Sequence, residues 1–146
     1  MKAFALPPSH RIFVATAAAG GGVERQFISF GGYTGGAGYY LDARGPSSGG
    51  SSTGRDAETS NLAEFDGTVT SVHLTLGLAD SGQVFAVWVN DVEVATFSPA
   101  VVLQAEWSGV ITIVPAISLS AGDKVNLKMK TSNCGDTGVT LVLEGT

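Results

Sequence analysis

In "KVNLKMKT", from Lys124 to Thr131, polar and apolar side chains alternate almost without a break. A helix would scatter that pattern around its circumference. An extended chain instead puts Val125, Leu127 and Met129 on one face and Lys124, Asn126, Lys128 and Lys130 on the other. Strand-length runs recur from Thr68 onward: "TVTSVHLTLG", "QVFAVWV", "VEVATFS", "GVITIV" and "GVTLVLE". Turn chemistry separates them. Val89-Asn90-Asp91-Val92 reads as a two-residue hairpin, and Asp80-Ser81-Gly82 and Ala121-Gly122-Asp123 as further turns. No segment carries the period of an amphipathic helix, so an all-β fold is expected, with at least six strands in the last 80 residues.

One run breaks the alternation. In "QVFAVWV", Val84, Ala86 and Trp88 are as apolar as Phe85, Val87 and Val89. A strand with two apolar faces needs cover on both. The cover is expected from a second layer, from the N-terminal part of the chain or from another copy, and self-association is the expected outcome.

The first half differs. Residues 1–67 hold all four arginines, all three tyrosines and more than half of the 20 glycines. "HRIFVAT" and "VERQFISF" are strand-like, joined through "AAAGGG". From Gly31 to Asn61 the chain is glycine- and serine-rich, with "GYYLD" as a possible short strand. The expected division is an N-terminal arm with glycine-rich loops and first strands over 1–67, and a sandwich core over 68–146. Glycine permits close backbone approach, which favours an arm that packs on something over a plain linker.

Composition excludes several classes. Hydrophobic residues make up 44% and charged residues only 14%, well under the usual quarter. A net charge of −5 argues against nucleic acid as a partner, since phosphates need a basic face. Cys134 is alone, so neither a disulfide within the chain nor a thiolate metal site is expected. The apolar run of "MKAFALPPSHR" ends at the proline pair, too short for a signal peptide. No stretch approaches the roughly 20 apolar residues of a membrane span. The expected place of synthesis is a reducing cytoplasm.

The chemical motifs are thin. "SFGGYTGGAGYYLDARG" has glycines but no Gly-Lys-Ser/Thr and no following helix, so nucleotide binding is not expected. His73 lies in "TSVHLTL" with Ser71 and Thr75 on its side of the strand, a polar strand face rather than a triad. Asp80, Asp91, Asp123 and Asp136 sit in predicted turns, where aspartate bonds its own backbone. No enzyme activity, cofactor or metal site is expected. Trp107, at a loop-to-strand junction, and Tyr33, Tyr39 and Tyr40 are the rings a sugar-binding module would use.

From Asp66 to Leu143, and most of all in "SLSAGDKVNLKMK", the chain resembles the second half of a jelly-roll head domain. Trimeric heads of the complement and tumour-necrosis-factor type, spore-surface glycoprotein heads and bacteriophage virion proteins share this pattern. The resemblance implies a jelly-roll β-sandwich with a glycine-rich N-terminal arm, assembled as a homotrimer. It makes Phe85, Val87, Val125, Leu127 and Met129 candidates for the trimer interface. There is no Gly-X-Y stalk, so the chain looks most like a phage capsid decoration (cement) protein. Its implied partners are the major capsid protein and itself, and its place is the virion. Phe4, Leu6, Arg11, Phe13, Arg25, Phe27, Tyr33, Tyr39, Tyr40, Arg44 and Arg55 become candidate capsid contacts. The alternative is a trimeric tail or fibre-tip module that binds a host surface glycan.

Overall fold

A computed structural model describes residues 23–34, 37–43, 59–131 and 135–146. Eight strands run in order: β1 (Arg25–Thr34), β2 (Ser60–Leu62), β3 (Gly67–Ala79), β4 (Phe85–Val89), β5 (Val92–Phe97), β6 (Gln104–Leu119), β7 (Lys124–Met129) and β8 (Gly135–Gly145). They form two four-stranded antiparallel sheets, β1-β8-β3-β6 and β2-β7-β4-β5, packed as a sandwich. No helix occurs among the described residues.

Period-two alternation builds the core. Ile28 and Phe30 of β1, Val72, Leu74 and Leu76 of β3, and Val139, Leu141 and Leu143 of β8 line one inner face. Phe85 and Val87 of β4 and Val125, Leu127 and Met129 of β7 line the other. The Phe85 ring stacks on Phe97 with centroids 5.3 Å apart. This placement corrects one expectation. Phe85, Val87, Val125, Leu127 and Met129 are at most 1% exposed and belong to the core of a single chain, so they present no surface to a neighbouring copy. Their apolar character is accounted for by the facing sheet.

β4 does need cover on both faces, and part of it comes from the chain itself. Ala86 is fully buried and Trp88 half-buried on the outer face. The ring of Tyr40 meets Trp88 edge-on at 6.2 Å, and the Lys128 ammonium lies 5.4 Å from the Tyr40 ring and 5.5 Å from the Trp88 ring. β7 departs from its pattern at Asn126, which is as buried as its apolar neighbours. Its Nδ2 donates to the Thr59 carbonyl at 2.9 Å and to the Ser60 hydroxyl at 2.9 Å.

Turn chemistry behaves as the sequence predicts at the β4–β5 hairpin. Asn90 and Asp91 both take positive φ, 47° and 69°, the conformation of a type I′ turn whose twist matches the strands. β6 is longer than "GVITIV" alone suggests. It reaches from Gln104 to Leu119, and its pairing with β3 jumps from Ser71↔Thr112 to Val69↔Ile117, so 113–116 form a bulge opposite Thr70, with Ile113 still buried in the core.

The two flanks of the sandwich are closed differently. On the β1–β2 flank, 38–42 bridge the sheets: Leu41 N–H donates to Leu127 O at 2.8 Å, while Gly31 and Asp42 exchange backbone bonds of 2.9 and 2.8 Å. Leu41 is fully buried beneath this bridge. Side-chain amides finish the seal. Gln26 Nε2 donates to Leu62 O at 2.8 Å and its Oε1 accepts from Glu64 N–H at 2.8 Å. Asn61 Nδ2 donates to Ser29 O at 2.9 Å. The β5–β6 flank has no comparable seal among the described residues.

Candidate functional site

β5 and β6 are the outermost strands of their sheets, so each has one edge without a neighbouring strand among the described residues. Such an edge carries unpaired N–H and C=O groups that can accept another chain. The same flank exposes large apolar side chains. Val92 and Val94 lie on β5, Val102 and Leu103 in the connection to β6, and Val110 and Val114 on β6, with Val102 87% and Val114 84% exposed. Inside this row, Val89, Ala95, Val101 and Ile111 are only partly buried against the core. Single exposed valines are ordinary; a run of them along two open edges makes this flank the candidate interaction surface.

Two charge pairs beside this flank are neutralised locally. Lys130 Nζ lies 3.1 Å from Glu93 Oε1, and Lys124 Nζ 3.1 Å from Asp91 Oδ1. The end of the connection and the start of β6 are also held in a costly backbone shape: Leu103 and Glu106 take positive φ, 28° and 50°, a region that disfavours side chains other than glycine. The Ser81 N–H donates to Val101 O at 2.7 Å and fixes the loop to the turn after β3.

At the hairpin end, Asn90 and Asp123 form a clasp. Asp123 Oδ2 accepts from Ser120 N–H and its Oδ1 from Asn90 Nδ2, both at 2.8 Å. Asn90 Oδ1 accepts from Lys124 N–H at 2.9 Å. Donation from the Ser120 backbone, and then from Asn90, holds the Asp123 carboxyl below its ordinary value, with burial opposing slightly. The predicted Gly122–Asp123 turn thus ties the β6–β7 turn to the β4–β5 hairpin.

The sequence-derived candidates scatter. Arg25 and Phe27 lie exposed on the outer face of β1, where Arg25 Nε is 3.3 Å from Glu144 Oε1. Tyr39 is half-buried, and Tyr40 is buried on Trp88, committed to the fold. Tyr33 contributes backbone to β1. Phe4, Leu6, Arg11, Phe13, Arg44 and Arg55, together with "HRIFVAT" and Cys134, lie outside the described residues. His73 is exposed between Thr140 and Val110 on the outer sheet face. Among the described residues no group of three or more His, Cys, Asp or Glu side chains gathers as a metal site.

The apolar flank is only partly legible in the sequence, because four of its six residues sit in strands whose periodicity points to a core. One signal was available: "SPAVVL" places apolar residues in a connection rather than in a strand. No protein-family model and no curated protein matches this chain, so the functional argument rests on its geometry.

Proposed function

We propose that this chain is a structural virion protein, a homotrimeric jelly roll that decorates and stabilises a phage head by binding the major capsid protein. The observation that carries the reading is the contrast between the two flanks. One is sealed by its own chain; the other combines two open strand edges with six exposed valines and leucines. A closed ring of copies covers such a flank and leaves no edge to grow from.

The strand order supports the jelly-roll assignment. Orders 1-8-3-6 and 2-7-4-5 arise when an eight-strand ribbon folds over on itself, the double Greek key of jelly rolls. The capsid would meet the trimer elsewhere, and Arg25 with Phe27 on the outer face of β1 offers an adjacent charge and ring for that contact. Three weak contacts per trimer add by avidity.

Two measurements test the parts separately. Light scattering of the purified chain should give three protomers, and Leu103→Glu with Val110→Glu should give a folded monomer. A monomeric wild-type chain refutes the assembly. Quantitative mass spectrometry of purified particles should find the chain in high copy number and in a multiple of three; its absence from particles refutes the virion role.

A further inference from the structure

β6 is the longest of the described strands, and its free edge carries few of the devices that keep an edge from pairing. Such edges are normally blunted by lysine, by proline or by charge. From Gln104 to Val114 the only charged residue is Glu106, and the first proline is Pro115. β5, the other open edge, lies beside carboxylates that are already paired: Asp91 with Lys124 and Glu93 with Lys130, each at 3.1 Å. We infer that β5 of one copy pairs with the free edge of β6 in the next, so that one protomer's sheet continues into its neighbour's. The pairing presupposes the closed trimer proposed above.

Ring closure selects these two surfaces. At the opposite flank, β1 and β2 are tied together by the 38–42 bridge and by the Gln26 and Asn61 amides. β5 and β6 are thus the outermost strands left uncovered among the described residues. Pairing β6 with a second β6 joins two copies about a twofold axis and stops at two; the same holds for β5 with β5. A ring of three needs a heterologous contact, in which one surface meets a different one. With two open edges, that contact is β5 against β6. The strand senses agree. β5 runs into the 98–103 connection and β6 runs back out of it, and rotation about the ring axis keeps each strand's sense along that axis. The ladder between copies is therefore antiparallel.

Length and exposure fit the same arrangement. The six residues of β5 find room along 104–112, before the bulge at 113–116 and Pro115 end the regular edge. Val94 and Val110, 46% and 62% exposed, are covered by the neighbouring strand. Ala95, Val101 and Ile111, only partly buried against the core of one chain, gain cover from the adjoining copy.

The test is disulfide trapping in the full chain with Cys134→Ser as background. Chains carrying Val94→Cys are co-expressed with chains carrying Glu106→Cys, Ser108→Cys, Val110→Cys or Thr112→Cys, then oxidised. All five positions are exposed, so the substitutions spare the core. Opposed residues on paired antiparallel strands have Cα atoms about 4.5–5.5 Å apart, within the span of about 4.4–6.8 Å that a disulfide bridges. Each chain holds a single cysteine, so every disulfide joins two copies. Mass spectrometry of the linked peptides should find position 94 joined to at least one of the four β6 positions, and no β6 position joined to itself. Light scattering of the same samples counts protomers. Three protomers with no link from position 94 overturn the inference and leave the assembly standing. A link from position 110 to itself also overturns it, because that link reports a twofold contact. A monomer overturns the assembly and the pairing together.

Discussion

Gln26 tests the sealed flank most directly. Its side chain is fully buried, and its amide joins β1 to the Leu62 carbonyl and the Glu64 N–H at 2.8 Å each. Gln26→Ala deletes both bonds and strands both backbone groups, each costing about 1–3 kcal/mol if water cannot reach it. The lost buried methylene adds about 0.8 kcal/mol, while side-chain entropy no longer spent on folding returns roughly 1–2 kcal/mol. The expected loss is about 3 kcal/mol, a large share of the ~5–15 kcal/mol typical of domains. Gln26→Met keeps the volume and loses only the bonds, so about 2 kcal/mol should remain. Urea unfolding by far-UV dichroism, at one fixed protomer concentration, should show the alanine midpoint falling by about 2 M for a slope near 1.5 kcal/mol/M. A loss below about 1 kcal/mol for both variants would mean that water takes over the bonds, and the amide would then be no lock.

Further outcomes follow from other elements. Leu127→Ala should lower stability by about 2–5 kcal/mol while leaving the number of protomers by light scattering unchanged, because that side chain lies within one chain's core. Gly122 has φ 88° and nothing within 4 Å of an added Cβ, so Gly122→Ala should cost about 1 kcal/mol of pure backbone strain. At Gly67 an added Cβ would fall 2.3 Å from the Glu144 carbonyl oxygen, and Gly67→Ala should cost more in the same urea assay. Asp123 has a lowered carboxyl pKa in the fold. Its contribution is therefore present above the unfolded value near 4 and is lost as pH falls through the lower folded value. Urea midpoints measured from about pH 6 down to about pH 2 should fall less steeply in Asp123→Asn than in the wild-type chain.

Much of the sandwich was legible because alternation acts locally. "TVTSVHLTLG" and "KVNLKMKT" place Leu74 and Leu127 inside by phase alone, and Asn90-Asp91 declares its hairpin. Asn126 was not legible. It shares the phase of three lysines, and its burial comes from Thr59 and Ser60, some 66 residues away along the chain. Gln26 was half-legible: it lies in phase with Ile28 and Phe30, which places an amide on the core side of β1. β2, only three residues long, exists because Asn61 and its neighbours pair with β7, and no local pattern in "SNL" encodes that. Of the rings singled out from sequence, Tyr40 is committed to the fold because it packs on Trp88. The exposed flank depends on which strands end a sheet. Strand order decides that, and strand order is a long-range property.

The bridge over 38–42 makes the sandwich resemble a book bound along one spine. Thermal opening starts at the unbound fore-edge, at β5 and the outer edge of β6, while the β1–β2 spine holds. A second copy seated on the fore-edge would suppress the motion that loosens the first, so under the proposed assembly rigidity should rise with concentration. A partner at the spine would add little, since nothing opens there. The chain thus places its least stable margin where a second copy would cover it, and order in such an assembly would become a condition of order in the protomer.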